Sequence, residues 1–308
     1  MRFPPTALTL GLPFALLATA FPLAPAAAQD AAGTSDVSSD AATASGDSAD
    51  STAKPHKDVM KGDYLLIGVG ALYGPSYQGS NDQVFSAIPV VMGRFHGVKI
   101  NPRPRGVSLD LIPDGKDAKF GFELGPVGSI SYNRVRHIED PVVKSLGKLD
   151  PAIEFGVNTG VTANRLLNPY DSLTLSTDVM WDVNAYHGMT WSPGITYKTP
   201  LSKAVIVALN VRAHHVDDKY ARYYFSVTPE QSAKSGLPEF DAKGGWSSVS
   251  AGILAGYDLS GDFTDGGFAL FAALNYSAML NDAKRTPFTS LRGSSNQWTL
   301  GGGVSYTF

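Results

Sequence analysis

The C-terminal stretch Asn296-Gln-Trp-Thr-Leu-Gly-Gly-Gly-Val-Ser-Tyr-Thr-Phe308 decides the fold, because its side chains alternate with a period of two. Successive side chains of a β-strand point to opposite faces. One face is apolar with aromatic residues at both ends: Trp298, Leu300, Gly302, Val304, Tyr306 and Phe308. The other is small and polar: Gln297, Thr299, Gly301, Gly303, Ser305 and Thr307. This pattern is typical of a strand with lipid on one side and the inside of a barrel on the other.

The same alternation recurs along the chain, with turn signals such as Pro113-Asp114-Gly115 between the strands. Candidate strands begin near Tyr64, Val84, Val98, Lys119, Ala152, Ser172, Met189, Ala204, Arg222, Ser247, Phe268 and Asn296. The pattern is weakest near Val98, where two prolines interrupt it, and near Arg222. The sequence therefore predicts an all-β, antiparallel up-and-down transmembrane barrel of about twelve strands, with ten to fourteen left open.

Composition excludes several other classes. The chain has 308 residues, no cysteine, 17% charged residues and a net charge of −3. The lack of cysteine excludes disulfide scaffolds, thiolate metal sites and cysteine nucleophiles. The absence of a basic excess disfavours a nucleic-acid partner. Low charge with 32 glycines suits a β-rich protein in an unusual environment.

The N-terminal region predicts export. Residues 1–28 combine Arg2, an apolar run and a small-residue ending, so we expect a signal peptide cleaved between Ala28 and Gln29. Residues 29–60 are rich in Ala, Ser and Asp and lack aromatic side chains, which predicts a disordered acidic tether. The barrel is then expected to occupy residues 61–308.

A soluble exported β-sandwich is the alternative to a membrane barrel. The barrel is favoured because many strands carry aromatic residues at the ends of the apolar face, as membrane-interface girdles do. Tyr306 and Phe308 also resemble the C-terminal signal that outer-membrane proteins present to their insertion machinery. We therefore expect a location in the outer membrane of a Gram-negative bacterium, with membrane lipid and that machinery as partners.

Two segments resemble the MltA-interacting protein (MipA/OmpV) family. The first is Gly68-Val-Gly-Ala-Leu-Tyr-Gly-Pro-Ser-Tyr-Gln-Gly-Ser-Asn-Asp82. The second contains Asp217-Asp218, then Tyr220, then Tyr224-Phe-Ser-Val-Thr228, and then Ser235-Gly-Leu-Pro238. Ser226 stands where the family usually has Gly. The residues that carry the resemblance are Gly68, Gly70, Pro75, Tyr77, Gly79, Ser80, Asp217, Asp218, Tyr220, Tyr224, Phe225 and Gly236.

This resemblance implies an outer-membrane barrel that is not an enzyme. The family's best-known member is a scaffold that brings a murein lytic transglycosylase to a murein synthase, and other members are linked to permeability and stress responses. A scaffold for peptidoglycan-remodelling enzymes is therefore the preferred function. A small-solute, porin-like channel is the alternative, and a hydrolase in the barrel wall comes third.

Candidate site residues lie on the polar strand faces. They are Asp110, Lys119, Glu123, Glu154, Asp178, Asn210, Arg212 and His214. Their mixed charges suit mutual pairing that plugs the lumen, with a selective pore as the alternative. We expect His214 inside and His215 at the membrane interface, and we predict no metal site, no cofactor and no catalytic residue.

A short helix is predicted in the loop that follows the Tyr-Phe motif. Thr228 as N-cap, Pro229 at the first helical position and Gln231 form a capping box, and Gly236 suits the C-terminal cap. Such a helix could serve as a lid, a plug or a docking surface, or simply as a packed loop.

Overall fold

The structure, a computed structural model, describes residues 58–59, 62–103, 105–115 and 117–308. The predicted signal peptide, its cleavage position and nearly all of the predicted tether lie outside these residues. Twelve strands are formed: β1 Tyr64–Pro75, β2 Gln83–Phe95, β3 Val98–Arg103, β4 Gly106–Asp110, β5 Phe120–Ser131, β6 Ala152–Asn164, β7 Ser172–Asp182, β8 Met189–Pro200, β9 Val205–Val216, β10 Gly245–Asp258, β11 Gly267–Met279 and β12 Asn296–Thr307. Five short helices accompany them: α1 Pro141–Ser145, α2 Asp218–Phe225, α3 Pro229–Ser235, α4 Asn281–Arg285 and α5 Pro287–Ser290.

The strands form one closed antiparallel barrel in which each pairs with its sequence neighbours and β1 pairs with β12. This confirms the predicted fold class and the predicted strand number. Both chain ends of the barrel lie at one end, which we call the terminus end. The opposite end carries all five helices in loops 132–151, 217–244 and 280–295, and we call it the cap end.

Two local predictions were wrong. One added a strand and the other omitted one, so the predicted number of strands is still correct. The segment near Arg222 is helix α2, because Asp217 caps its start by accepting from the backbone N–H of Tyr220 at 2.8 Å. Tyr220, Ala221, Tyr224 and Phe225 are buried on one side of that helix. Strand β4 was missed, because Pro102 and Pro104 interrupt the alternating pattern just before it. In contrast, the predicted capping box and left-handed Gly236 of α3 are confirmed.

The outer face is apolar along the barrel. Val69, Phe155, Leu175 and Trp298 point outward and are 60%, 59%, 59% and 54% exposed. Aromatic pairs lie near both ends, for example Trp191 with Trp246 at the cap end and Phe268 with Tyr306 at the terminus end, their ring centres 5.3 and 4.8 Å apart. Such a belt suits a hydrocarbon environment with aromatic residues at its two interfaces.

The barrel wall has one weak seam. On β2, only Gly93–Phe95 pair with β3, where they face Val98–Ile100. The same edge of β2 from Gln83 to Met92 pairs with no other described strand, although its opposite edge pairs with β1 along this whole length. Consecutive residues Phe85, Ser86 and Ala87 are all exposed there. The short β3–β4 hairpin pairs with only the last three residues of β2, and the side chain of Arg103 forms an ion pair with Asp178 of β7.

None of the described helices is long and apolar enough to cross a bilayer.

Candidate functional site in the barrel interior

Most of the polar residues predicted for the lumen do point into it. Asp110, Glu123, Glu154, Asp178, Asn210, Arg212 and His214 all lie on inward faces of strands. Lys119 lies one residue before β5, in the loop at the terminus end. The inward charged groups belong to strands β2 to β9, apart from Asp258 at the end of β10, so charge covers only part of the interior wall.

Asp178 is the centre of one charge network. Its Oδ2 lies 3.1 Å from Nη1 of Arg212 and 3.3 Å from Nε of Arg103, and its Oδ1 accepts from Nδ2 of Asn158 at 2.6 Å. Arg103 is on β3 and Asp178 on β7, so their ion pair crosses the interior between strands that are not neighbours. Because Asp178 is 4% exposed, losing its carboxylate would leave two cations without compensation.

A second network joins the β3–β4 hairpin to the loop after it. Nζ of Lys99 lies 3.2 Å from Oδ2 of Asp110 and also contacts Asp114. Oδ1 of the fully buried Asp110 accepts the backbone N–H groups of Ile112 and Leu124. This pairing holds the hairpin against β5, where its backbone pairing is short.

The interior is connected to the cap through Glu154. Its carboxylate accepts a hydrogen bond from the hydroxyl of Tyr186 in the β7–β8 loop. It also accepts one from the hydroxyl of Ser129, at 2.5 Å. Burial and the negative charge of Glu154 raise the pKa of Tyr186 well above its ordinary value. The tyrosine is therefore a permanent donor, and it packs against Tyr220 of α2 with ring centres 4.8 Å apart.

One serine and one histidine are brought together, which the sequence did not reveal. Ser192 Oγ and His214 Nδ1 lie 2.7 Å apart inside the barrel. No described carboxylate forms a hydrogen bond or ion pair with His214, and Ser192 is only 5% exposed. The pair lacks the orienting acid and the access that a nucleophilic site requires. His215 points outward, between Trp191 and Trp246.

The cap closes its end of the barrel with a buried aromatic core. Tyr77, Tyr224, Phe225 and Phe288 are each 2% exposed or less, and they belong to a core built from five loops. Within this core lies Arg134, which is 1% exposed. Its Nη1 donates to the carbonyl of Tyr224 at 3.2 Å and its guanidinium lies 5.0 Å from the ring centre of Phe288. Burial lowers the pKa of Arg134 to about 10.

A family model described as MltA-interacting protein MipA matches residues 67–308. The chain belongs to the MipA family. Membership and the apolar outer belt together support a location in the outer membrane.

Comparison with solved structures finds other outer-membrane barrels at low similarity. An outer membrane channel from Pseudomonas putida F1 is 13% identical with a TM-score of 0.39, and the alignment covers 83% of this chain and 98% of that one. OprD from Pseudomonas aeruginosa is 11% identical with a TM-score of 0.34, covering 79% of this chain and 65% of that one. No curated protein sequence matches the chain. At these scores the solved structures carry no argument about function.

The two MipA motif segments meet in the cap. The hydroxyl of Tyr220, from the second segment, donates to Oε1 of Gln78, beside Tyr77 in the first segment, at 3.1 Å. Asp217 caps α2, Asp218 accepts the backbone N–H of Gly244 at 2.7 Å, and Gly236 ends α3 with a φ of 72°. These residues build the closed end of the barrel.

Two glycines of the first MipA segment allow β1 to approach β12 closely where these strands close the barrel. A Cβ at Gly68 would lie 2.8 Å from the carbonyl oxygen of Val304, and one at Gly70 would lie 2.6 Å from that of Gly302. Gly79 has a φ of 95° in the β1–β2 loop, which favours glycine. Pro75 ends β1, and Ser80 is fully buried in the same loop. Tyr306 and Phe308 pack on the outer face, with ring centres 4.7 Å apart.

Proposed function

We propose that this chain is an outer-membrane scaffold that recruits murein-remodelling enzymes, a lytic transglycosylase and a murein synthase, to the inner face of the membrane. The description of its family names an interaction with MltA. A scaffold needs a stable barrel and a free surface, and it needs no catalytic group in the wall.

The sealed cap is the observation that favours a scaffold over an open channel. Aromatic side chains that are 2% exposed or less fill the cap end, so a solute would have to displace a packed core to pass. A small-solute channel is the second candidate. It is favoured by exposed side chains inside the barrel, and it requires the cap to move.

Orientation decides which surface a murein enzyme could reach. In outer-membrane barrels, short turns face the periplasm and longer loops face outward. By this rule the cap faces outward and the terminus end faces the periplasm. The proposed docking elements are therefore the predicted tether, residues 29–60, and the turns of the terminus end.

Binding to an immobilised MltA-type transglycosylase tests this proposal. We expect the mature chain to bind, deletion of residues 29–58 to weaken binding at least tenfold, and the cap variant Lys234→Glu to bind as the unaltered chain does. Planar-bilayer recordings of the same preparation should show a closed trace. A steady conductance without binding to any murein enzyme would overturn the scaffold in favour of transport.

A further inference from the structure

We propose that the barrel interior contains a binding site for a small monocarboxylate with an apolar body, held by Lys198 and Arg94 beside an uncharged wall. The site is independent of the scaffold function, because it lies inside the barrel and uses none of the proposed docking elements.

The three most exposed inward-facing side chains lie on a single row of the barrel interior. Among all inward-facing residues of the described strands, Ser86, Lys198 and Leu254 are the ones that are exposed, Leu254 at 44%. Strand pairing places all three on one cross-strand row of inward residues: Ser172, Lys198, Ala208, Leu254, Ala273, Gly301, Leu72 and Ser86. The three most exposed inward side chains are therefore aligned on one row, which we call the strip, and its other members are partly exposed.

The strip combines small residues with apolar walls. Ala208 and Ala273 leave space between the larger side chains of the row, and the side chain of Leu72 lies over Gly301. On the next cross-strand row towards the terminus end, the ring of Phe271 lies over Gly70 and Gly303. A Cβ added at these glycines would lie 2.8 and 2.6 Å from Cζ of Phe271. Inward residues of β2 beside the strip are also apolar, namely Ile88, Val90 and Met92. An apolar body of a ligand can lie along this wall and be removed from water.

Two cations near the strip are not held by a hydrogen bond or an ion pair within the described part of the chain. Lys198 and Arg94 make no hydrogen bond or ion pair with any described residue, whereas Lys99 is held by Asp110 and Asp114. The charges of Arg94, Lys99 and Glu123 all act on Lys198, so these groups converge inside the barrel. Lys99 is matched with two carboxylates, and Glu123 acts on Lys198 without forming a hydrogen bond or ion pair with a described residue. Lys198 and Arg94 are therefore left without a paired carboxylate, although the three cations and three carboxylates of the group balance in charge.

The strand register places the cation of Lys198 beside the apolar residues of the strip. Lys198 and Leu254 are two strands apart on the row, a backbone separation of roughly 10 Å. A carboxylate bound at Lys198 would thus place an attached short chain against Leu254 and Ala273. An unpaired cation in a partly enclosed lumen gains from a bound anion, because water only partly solvates it there.

Equilibrium dialysis of labelled hexanoate against the mature chain in nanodiscs tests this site, with empty nanodiscs as background. Hexanoate should bind saturably, while acetate, which lacks the apolar body, and hexylamine, which has the opposite charge, should compete at least tenfold less well. Lys198→Met should weaken hexanoate binding at least tenfold. Lys198→Arg should retain it, and so should Lys148→Met, a control at an exposed lysine of the cap.

Heat-dependent electrophoretic mobility verifies that each variant is folded. Equal competition by hexylamine, or unchanged binding in a folded Lys198→Met chain, would overturn the site. Loss of transglycosylase binding with intact hexanoate binding would overturn the scaffold alone, so the two proposals fail separately.

Discussion

The two ends of the barrel are built differently although the same strands connect them. At the cap end, loops from distant parts of the chain share one buried core, and Tyr224 and Phe288 are 1% and 0% exposed. At the terminus end the described loops contact mainly their adjacent loops, as Arg165 pairs with Asp117 and Lys203 with Asp262. Tyr170 in the β6–β7 loop is 77% exposed. The difference indicates that the cap is a cooperative unit with one buried core, whereas the terminus end is a set of turns joined by polar contacts to adjacent turns.

Removal of a cap aromatic residue should have the largest effect. Tyr224→Ala leaves a cavity in the packed core, which costs about 3 kcal/mol or more of cap stability. We expect faster protease cleavage at Lys234 and Lys243 and a rise in single-channel conductance. Tyr170→Ala, the matched change at the terminus end, should alter neither. Equal behaviour of the two variants would mean that the cap does not seal the barrel.

A smaller effect is expected from the carboxylate that connects two cap loops. Asp140 accepts the backbone N–H groups of Val142 and Val143 at the start of α1, and its Oδ2 accepts from Nε and Nη2 of Arg292 at 3.0 and 2.8 Å. Asp140→Ala removes a helix cap and an ion pair, about 1–2 kcal/mol in total. Hydrogen exchange should become faster in both loops 132–151 and 280–295.

Asp171 provides the matched control at the other end. It accepts the backbone N–H groups of Leu166 and Leu167 within its own loop and the hydroxyl of Tyr197 on the adjacent β8. Asp171→Ala should therefore accelerate exchange mainly in residues 165–171. If it also loosened distant loops, the contrast between a cooperative cap and turns joined only to adjacent turns would be wrong.

The smallest effect is a loss of cap stability in acid. Burial alone would raise the pKa of Asp140, but the N–H of Val143 and the side chain of Arg292 outweigh it and hold that pKa below the ordinary value of 3.8. The carboxylate therefore stabilises the cap fully above this value, and the contribution is lost as the pH falls through the lowered pKa. Protease resistance of the cap should decline below about pH 4, and the decline should be smaller in Asp140→Ala. A decline of the same size in both would assign the acid effect to other groups.

Much of the barrel could be predicted from the sequence because a half-buried strand has a period of two. The alternation in β7, β9 and β12 alone assigns inward and outward faces, and it placed Asp178, Arg212 and His214 inside. Helix α3 was predictable because its capping residues act locally. Such features depend on residues close in sequence.

The rest depends on contacts that local patterns do not encode. Helix α2 has the aromatic residues of a strand, and burial in the cap overrides that preference. The spacing of Asp217 before Tyr220, Tyr224 and Phe225 was the signal that could have revealed it. The uncharged strip was missed because β1 is apolar on both faces, so its side chains alone do not distinguish the inward face from the outward one. The Asp178–Arg103 pair joins non-neighbouring strands, which no strand pattern predicts.

The seam along β2 has a consequence for the surrounding bilayer. Backbone dipoles between Gln83 and Met92 face away from β1 without a described strand to receive them, and acyl chains cannot satisfy them. We therefore expect water or lipid headgroups to approach this edge, either from the lumen or through a local thinning of the hydrocarbon layer. On this expectation the most hydrated sector of the surrounding bilayer lies beside β2.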